Sequence, residues 1–322
     1  RDTVFLTAAA PSGADMIGRT DDWLRLVFTH EYTHIVHLDR SRGWARVVHG
    51  VFGRSVFAYP NLWLPGWNIE GLATWNESAR AGEGRAHAGD FLAIDRVAAA
   101  QGRPLPLDRA NGGLVQWPDG HASYSAGLAF HDYLARAYGE ATFAQLADVT
   151  ARQLPYLGSR AYRRVYGKSL GALWKDFRTD QATRVDYADR ASVAVPRGGE
   201  PRRLTFSGNI ALAPRFAPAP CPGCAARIFY TLRTPDAFPS LRAIDLDGTH
   251  DHQAAARYMG TTVALSPGFA VFDQQEVRRS VGTYSDLYTL DMATGRVRSL
   301  TRESRLQAPD LAPDARALAA VR

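Results

Sequence analysis

Apolar and polar positions follow two different periods along this 322-residue chain, and the change falls near residue 200. Before it, the apolar positions recur mostly at helical spacing. Trp23-Leu24-Arg25-Leu26-Val27-Phe28, behind the acidic pair Asp21-Asp22, predicts a helix that continues through Ile35-Val36. Ala122 to Tyr138 predicts a second helix, stopped at Gly139, and Ala141 to Arg152 and Leu170 to Arg178 predict two more. Pro65 and Asn68 suit the start of a helix that carries Glu70 and Glu77. Between the first and this helix, Val51 to Trp67 is densely apolar but broken by Arg54, Pro60 and Pro65, so an aromatic loop or short helices are expected, forming a cleft wall. Residues 3–8 look like a strand.

From Gln181 to Pro201 the chain turns polar, with Pro196-Arg197-Gly198-Gly199 as a linker. Beyond it the pattern is short strands and turns, and it repeats. Leu241-Arg242-Ala243-Ile244-Asp245 and Leu287-Tyr288-Thr289-Leu290-Asp291 lie 46 residues apart, each followed by a turn with glycine, at Gly248 and Gly295. Pro218, Pro267 and Pro313 repeat at 49 and 46. Such a period predicts propeller blades, of which two to three fit in 200–322, fewer than the four a closed propeller needs. The expected organisation is therefore three segments: 1–180 helical, 181–199 linker and 200–322 partial propeller. The strand under way at the first residues and the abrupt stop at Val321-Arg322 suggest a chain trimmed at both ends.

Composition narrows the class without naming it. With 46% hydrophobic and 22% charged residues, the chain reads as an ordinary globular protein. The net charge of +6 comes from scattered Lys and Arg, which does not resemble a nucleic-acid footprint. No uninterrupted run of 18 apolar residues exists, so no transmembrane segment is expected. The two cysteines, Cys221 and Cys224, lack the second pair of a zinc knuckle. They form a local disulfide, implying an oxidising compartment, or remain two free thiols.

The chemistry is concentrated in His30-Glu31-Tyr32-Thr33-His34. Residues four apart on a helix share a face, so the two imidazoles can grip one Zn²⁺ while Glu31 serves as base toward a water activated by it. His37 lies roughly 10 Å of helix rise beyond His30 and is expected to be a polar, solvated neighbour rather than a ligand. A catalytic zinc wants a third protein ligand and an open position. Glu70 is the natural choice. Glu77, seven residues on and near the same helical face, suits holding a ligating histidine by its other ring nitrogen.

Glu70-Gly71-Leu72-Ala73, with Glu77 following and His-Glu-x-x-His upstream, resembles the gluzincin metallopeptidases, most closely the aminopeptidase-N-like branch. The likeness extends to Ser123-Tyr124-Ser125-Ala126-Gly127, and it implies that Tyr124 stabilises the oxyanion. His121 and His131, nearby, are expected at the surface or behind the ligands. The repeat resembles TolB-like propellers, and bacterial proteins join the two kinds of domain. Two departures stand out: 35 residues separate His34 from Glu70 where the aminopeptidases have eighteen, and no Gly-x-Met-Glu-Asn motif is present. Aminopeptidase specificity is therefore not implied.

The resulting expectation is a multidomain protein, a mainly α (α+β) zincin-like metallopeptidase domain followed by incomplete all-β propeller blades. Its function would be zinc-dependent hydrolysis of a peptide or protein substrate in the periplasm or outside the cell, with a possible protein partner on the propeller. The alternative is a non-proteolytic cell-envelope scaffold that acts through the propeller.

Overall fold

The computed structural model describes residues 3–6, 17, 20–113, 117–118, 120–193, 202–207, 210–219, 223–260, 262–280 and 282–322, with 185–193 as backbone alone. These residues form two compact units, one ending at Val193 and one starting at Arg202. No helix among them is long and apolar enough to cross a membrane.

The first unit is built from eight helices: α1 Trp23–Leu38, α2 Trp44–Phe52, α3 Gly66–Ala81, α4 Gly89–Ala100, α5 Ala122–Tyr138, α6 Ala141–Thr150, α7 Ser159–Tyr166 and α8 Leu170–Val193. Asp22 caps α1, its carboxylate accepting from the Arg25 N–H at 3.1 Å. The apolar stretch after α2 folds as two 3₁₀ turns, Val56–Ala58 and Pro60–Trp63. α8 runs on to Val193, through much of the polar stretch that begins at Gln181.

The core of this unit is aromatic. Phe130, fully buried on α5, lies within 4.9–6.4 Å of the rings of Trp67, Tyr133, Tyr162, Trp174 and Phe177. α3 packs against both α1 and α5. Its approach to α5 is set by two glycines. A Cβ at Gly71 would lie 2.3 Å from the Gly127 Cα, and a Cβ at Gly127 would lie 2.1 Å from the Trp67 carbonyl oxygen. No larger residue fits at this crossing without separating the helices.

The second unit holds ten strands in three antiparallel sheets. Strands β1 Ile210–Ala217, β2 Arg227–Thr234, β3 Ala237–Asp245 and β4 His252–Ala256 form one meander. A second meander comprises β5 Val263–Ser266, β6 Phe269–Arg278, β7 Gly282–Asp291 and β8 Val297–Ser299; β9 Gln307–Leu311 pairs with β10 Leu318–Val321. Arg257 and Asp273, both buried, join at 2.5 Å, and Arg257 also donates to Thr231 on β2 while Asp273 on β6 accepts from the Ala308 N–H on β9. One ion pair thus ties all three sheets.

This architecture corrects the expected fold class. In place of the expected incomplete propeller blades, the described residues form three small antiparallel sheets of four, four and two strands, none of them closed. The first unit shows no strand among its described residues; residues 3–6 are irregular, and Thr7 and Ala8 lie outside the described residues. The zincin-like α+β expectation is corrected with it. The physical reason is that the repeat encodes a local unit. Asp245 ends β3 and Asp291 ends β7, the third strand of each meander, so the 46-residue period specifies meanders and carries no information about closure.

Candidate metal centre

α1 and α3 bring three ligand-type atoms together. The Nε2 atoms of His30 and His34 are 3.2 Å apart, and Glu70 Oε2 lies 3.3 Å from the first and 3.6 Å from the second. Two donors about 2.0–2.1 Å from one ion at a tetrahedral angle are about 3.3–3.4 Å apart. The three separations match that spacing, so the donor set fits a zinc-sized ion. The chemistry fits as well, since two imidazoles and one carboxylate are the protein donors of a catalytic zinc site. Helical spacing places His34 over His30, and the Gly71–Gly127 contact sets how α3, carrying Glu70, sits on α5.

Glu77 reaches the same site from behind. It is fully buried, and its Oε2 lies 2.8 Å from His30 Nδ1, which orients the ring so that Nε2 faces the other two donors. Arg85, eight residues later and just past α3, fixes Glu77 in turn. Its Nε donates to Oε1 at 2.8 Å and its Nη2 to Oε2 at 2.6 Å. The same guanidinium lies 4.8 Å from the centre of the Tyr124 ring. Arg85 is the residue that sequence pattern missed. It follows Gly84 and opens a short 3₁₀ turn, Arg85–His87, at no motif spacing, and only the fold places it behind Glu77.

Tyr124, at the head of α5, stands beside the triad. Its ring centre is 6.3 Å from that of His30. Burial raises its pKa, the Glu70 charge raises it further and Glu31 adds to that, against the opposing charge of Arg85. The phenol therefore stays protonated at neutral pH and serves as a hydrogen-bond donor. Glu31 follows His30 directly on α1, is partly exposed, and its charge is felt at Tyr124.

The electrostatics bind the cluster together. For Glu70, burial opposes ionisation, but hydrogen bonding to His30 and His34 outweighs it and holds the carboxyl far below its usual range. Burial likewise opposes ionisation of Glu77, and Arg85 and then His30 overcome it. Burial works against protonation of His30, yet Glu70 and Glu77 raise its pKa above the ordinary value. The Nδ1 of His34 is buried with no hydrogen-bond partner among the described residues, and its contacts to His30 and Glu70 are made through Nε2.

His37 is not solvated, as its polar character suggested. It is buried, its pKa pushed down to about 3 by burial and by the neighbouring His131 and His34. His131 is buried too, with its Nδ1 at 2.8 Å from the Gly127 carbonyl and its pKa lowered by burial to about 4. Both are packing residues behind the site. A cavity of about 1120 Å³ between α3, α4, α5 and α8 contains none of the three donors, so donor geometry rather than cavity size identifies the centre.

Cys224 is disulfide-bonded, while Cys221 lies outside the described residues. No family model, curated protein or solved structure matches the chain.

Proposed function

We propose that the chain is a zinc-dependent peptidase with a gluzincin-type donor set, His30, His34 and Glu70. One observation carries it: three donors at tetrahedral separations, within a turn of a glutamate that follows the first histidine. When bound, zinc supplies a Lewis acid that polarises a carbonyl and acidifies water.

The chain's own residues do the rest. Glu31 accepts the proton of the attacking water and delivers it to the departing amine. Tyr124, kept protonated by burial and by two nearby carboxylates, donates a hydrogen bond to the developing oxyanion. Glu77, held by Arg85, keeps His30 in the tautomer that presents Nε2. The disulfide at Cys224 supports a periplasmic or extracellular setting.

Glu31→Gln tests the assignment. The variant is expected to bind zinc with unchanged stoichiometry and to lose cleavage of a proteome-derived peptide library. Cleavage at the wild-type rate by a metal-loaded Glu31→Gln protein would overturn it.

A further inference from the structure

The 35 residues between His34 and Glu70 build a surface that the hydrolytic site does not use. Val47, Val51, Phe52, Val56, Phe57 and Tyr156 are 54–74% exposed, where large apolar side chains ordinarily pack inward. They adjoin one another. Val47 and Val51 share a face of α2, α2 packs on the 3₁₀ turn that carries Phe57, and Phe57 stacks on Trp63 at 5.9 Å. Trp63 in turn meets Tyr156 at 4.8 Å. Hydrogen bonds join the two segments as well: the Trp44 indole Nε1 donates to the Arg152 carbonyl at 3.1 Å, and the Arg42 N–H to the Ala151 carbonyl at 3.3 Å.

The charge on these same segments is one-sided. Residues 40–69 and 149–175 contain eight Arg and two Lys and not one Asp or Glu. Some of these cations reach outside for a carboxylate, as Arg40 and Arg42 do to Asp148 and Arg54 to Asp39. Arg46, Arg152, Arg160, Arg163 and Arg164 are exposed and have no carboxylate partner among the described residues. Exposed aliphatic and aromatic side chains on segments whose exposed arginines have no carboxylate partner among the described residues match the apolar and anionic layers of a bilayer surface. A nucleic acid would use the arginines and the rings but has no use for Val47, Val51 and Val56.

We infer that α2, the turns after it, the α6–α7 loop and α7 form a peripheral membrane-docking face for anionic lipid. It holds the protein on the bilayer without crossing it. This inference is independent of the hydrolytic one.

Sedimentation of the full chain with vesicles tests it, using phosphatidylglycerol mixed with phosphatidylcholine, and phosphatidylcholine alone. The chain is expected to partition onto the anionic vesicles and to do so less as salt rises. Phe52→Ser with Phe57→Ser is expected to weaken partition at least about tenfold, and Arg163→Glu with Arg164→Glu to weaken it selectively on anionic vesicles. Quenching of tryptophan fluorescence by brominated lipid gives a second measure in the unaltered chain, since Trp44 and Trp63 lie at the face. Chelator and Glu31→Gln should leave all of this unchanged, which separates docking from hydrolysis. Three results would overturn the inference: no partition onto anionic vesicles, partition indifferent to the phenylalanine pair, or self-association of the chain through this face in place of lipid binding.

Discussion

Glu77→Gln is the sharpest perturbation of the proposed centre, because it changes a charge and a donor pattern while keeping shape. Glu77 is fully buried and accepts from His30 Nδ1 at 2.8 Å and from two Arg85 nitrogens at 2.6 and 2.8 Å. A glutamine keeps one acceptor oxygen and turns the other into a donor. If the amide oxygen takes the Oε1 place beside Arg85 Nε, the NH₂ takes the Oε2 place, where it opposes Arg85 Nη2 and faces His30, whose Nδ1 must then accept. That moves the ring proton to Nε2, the atom that lies 3.2 and 3.3 Å from the other two donors, and ligation is lost unless the proton is displaced. If the amide is reversed, its NH₂ opposes the guanidinium.

Either arrangement leaves one buried group mismatched, at about 1–3 kcal/mol. The expected loss of zinc affinity is about 10- to 100-fold. The metal-free protein also loses stability, because Arg85 remains nearly buried without its counter-charge, and about 3 kcal/mol is expected. Competition against a chromophoric chelator measures affinity, and urea unfolding in the presence of EDTA measures the second effect. Far-UV circular dichroism confirms that both proteins are folded under the competition conditions. Wild-type zinc affinity in a folded Glu77→Gln protein would refute the idea that this carboxylate sets the His30 tautomer.

The other expectations concern the frame around the site. Gly71→Ala places a Cβ 2.3–2.7 Å from three backbone atoms of Gly127, so it should cost about 1–3 kcal/mol in urea unfolding and weaken zinc binding as Glu70 shifts; a loss below about 0.5 kcal/mol would contradict the close crossing. Tyr124→Phe should keep zinc and reduce kcat by about 10²–10³, with little change in KM; a near-normal kcat would remove the tyrosine from the chemistry. Stability of the metal-free protein should fall as pH drops from 6.5 toward 4, because His37 and His131 take up protons only when unfolded, while Asp95, whose carboxyl burial pushes up to about 7, releases one. The balance is a net uptake of about one proton, a slope of about 1.4 kcal/mol per pH unit, and Asp95→Asn should roughly double it; a flat profile in both proteins would refute the assignment. Glu70 and Glu77, held low, add their own loss only below about pH 4.5.

What could be read from the sequence follows from how local each feature is. α1 and α5 were legible because a cap, a period and a stop lie within one segment, as with Asp22 ahead of Trp23 and Gly139 after Tyr138. His30 and His34 were legible for the same reason, four residues being a fixed angle on a helix. Arg85 was not, since its place behind Glu77 depends on where the chain goes after α3. The burial of His37 and His131 was equally hidden, because each faces a neighbour from another helix. The fold class failed on the same ground. A repeated Leu-to-Asp marker specifies a meander, and neither closure of a sheet nor the presence of strands beside α1 is written in any one segment.

Gly71 and Gly127 show how far local pattern and global geometry can meet. Each lies next to, or one turn from, a residue given a chemical role: Glu70 precedes Gly71, and Tyr124 sits three residues before Gly127. Read singly, each glycine is a weak point in a helix, costing about 1 kcal/mol against alanine. Read together, they are the point where α3 and α5 touch backbone to backbone, with a Cβ on either side excluded by contacts of 2.1–2.7 Å. That contact fixes the helix that carries Glu70 against the helix that carries Tyr124. A pair of alanines there would gain helix propensity in both segments and separate Glu70 from Tyr124. The glycines therefore bear on the proposed chemistry of the site as much as on its packing, although neither is among the three candidate donors.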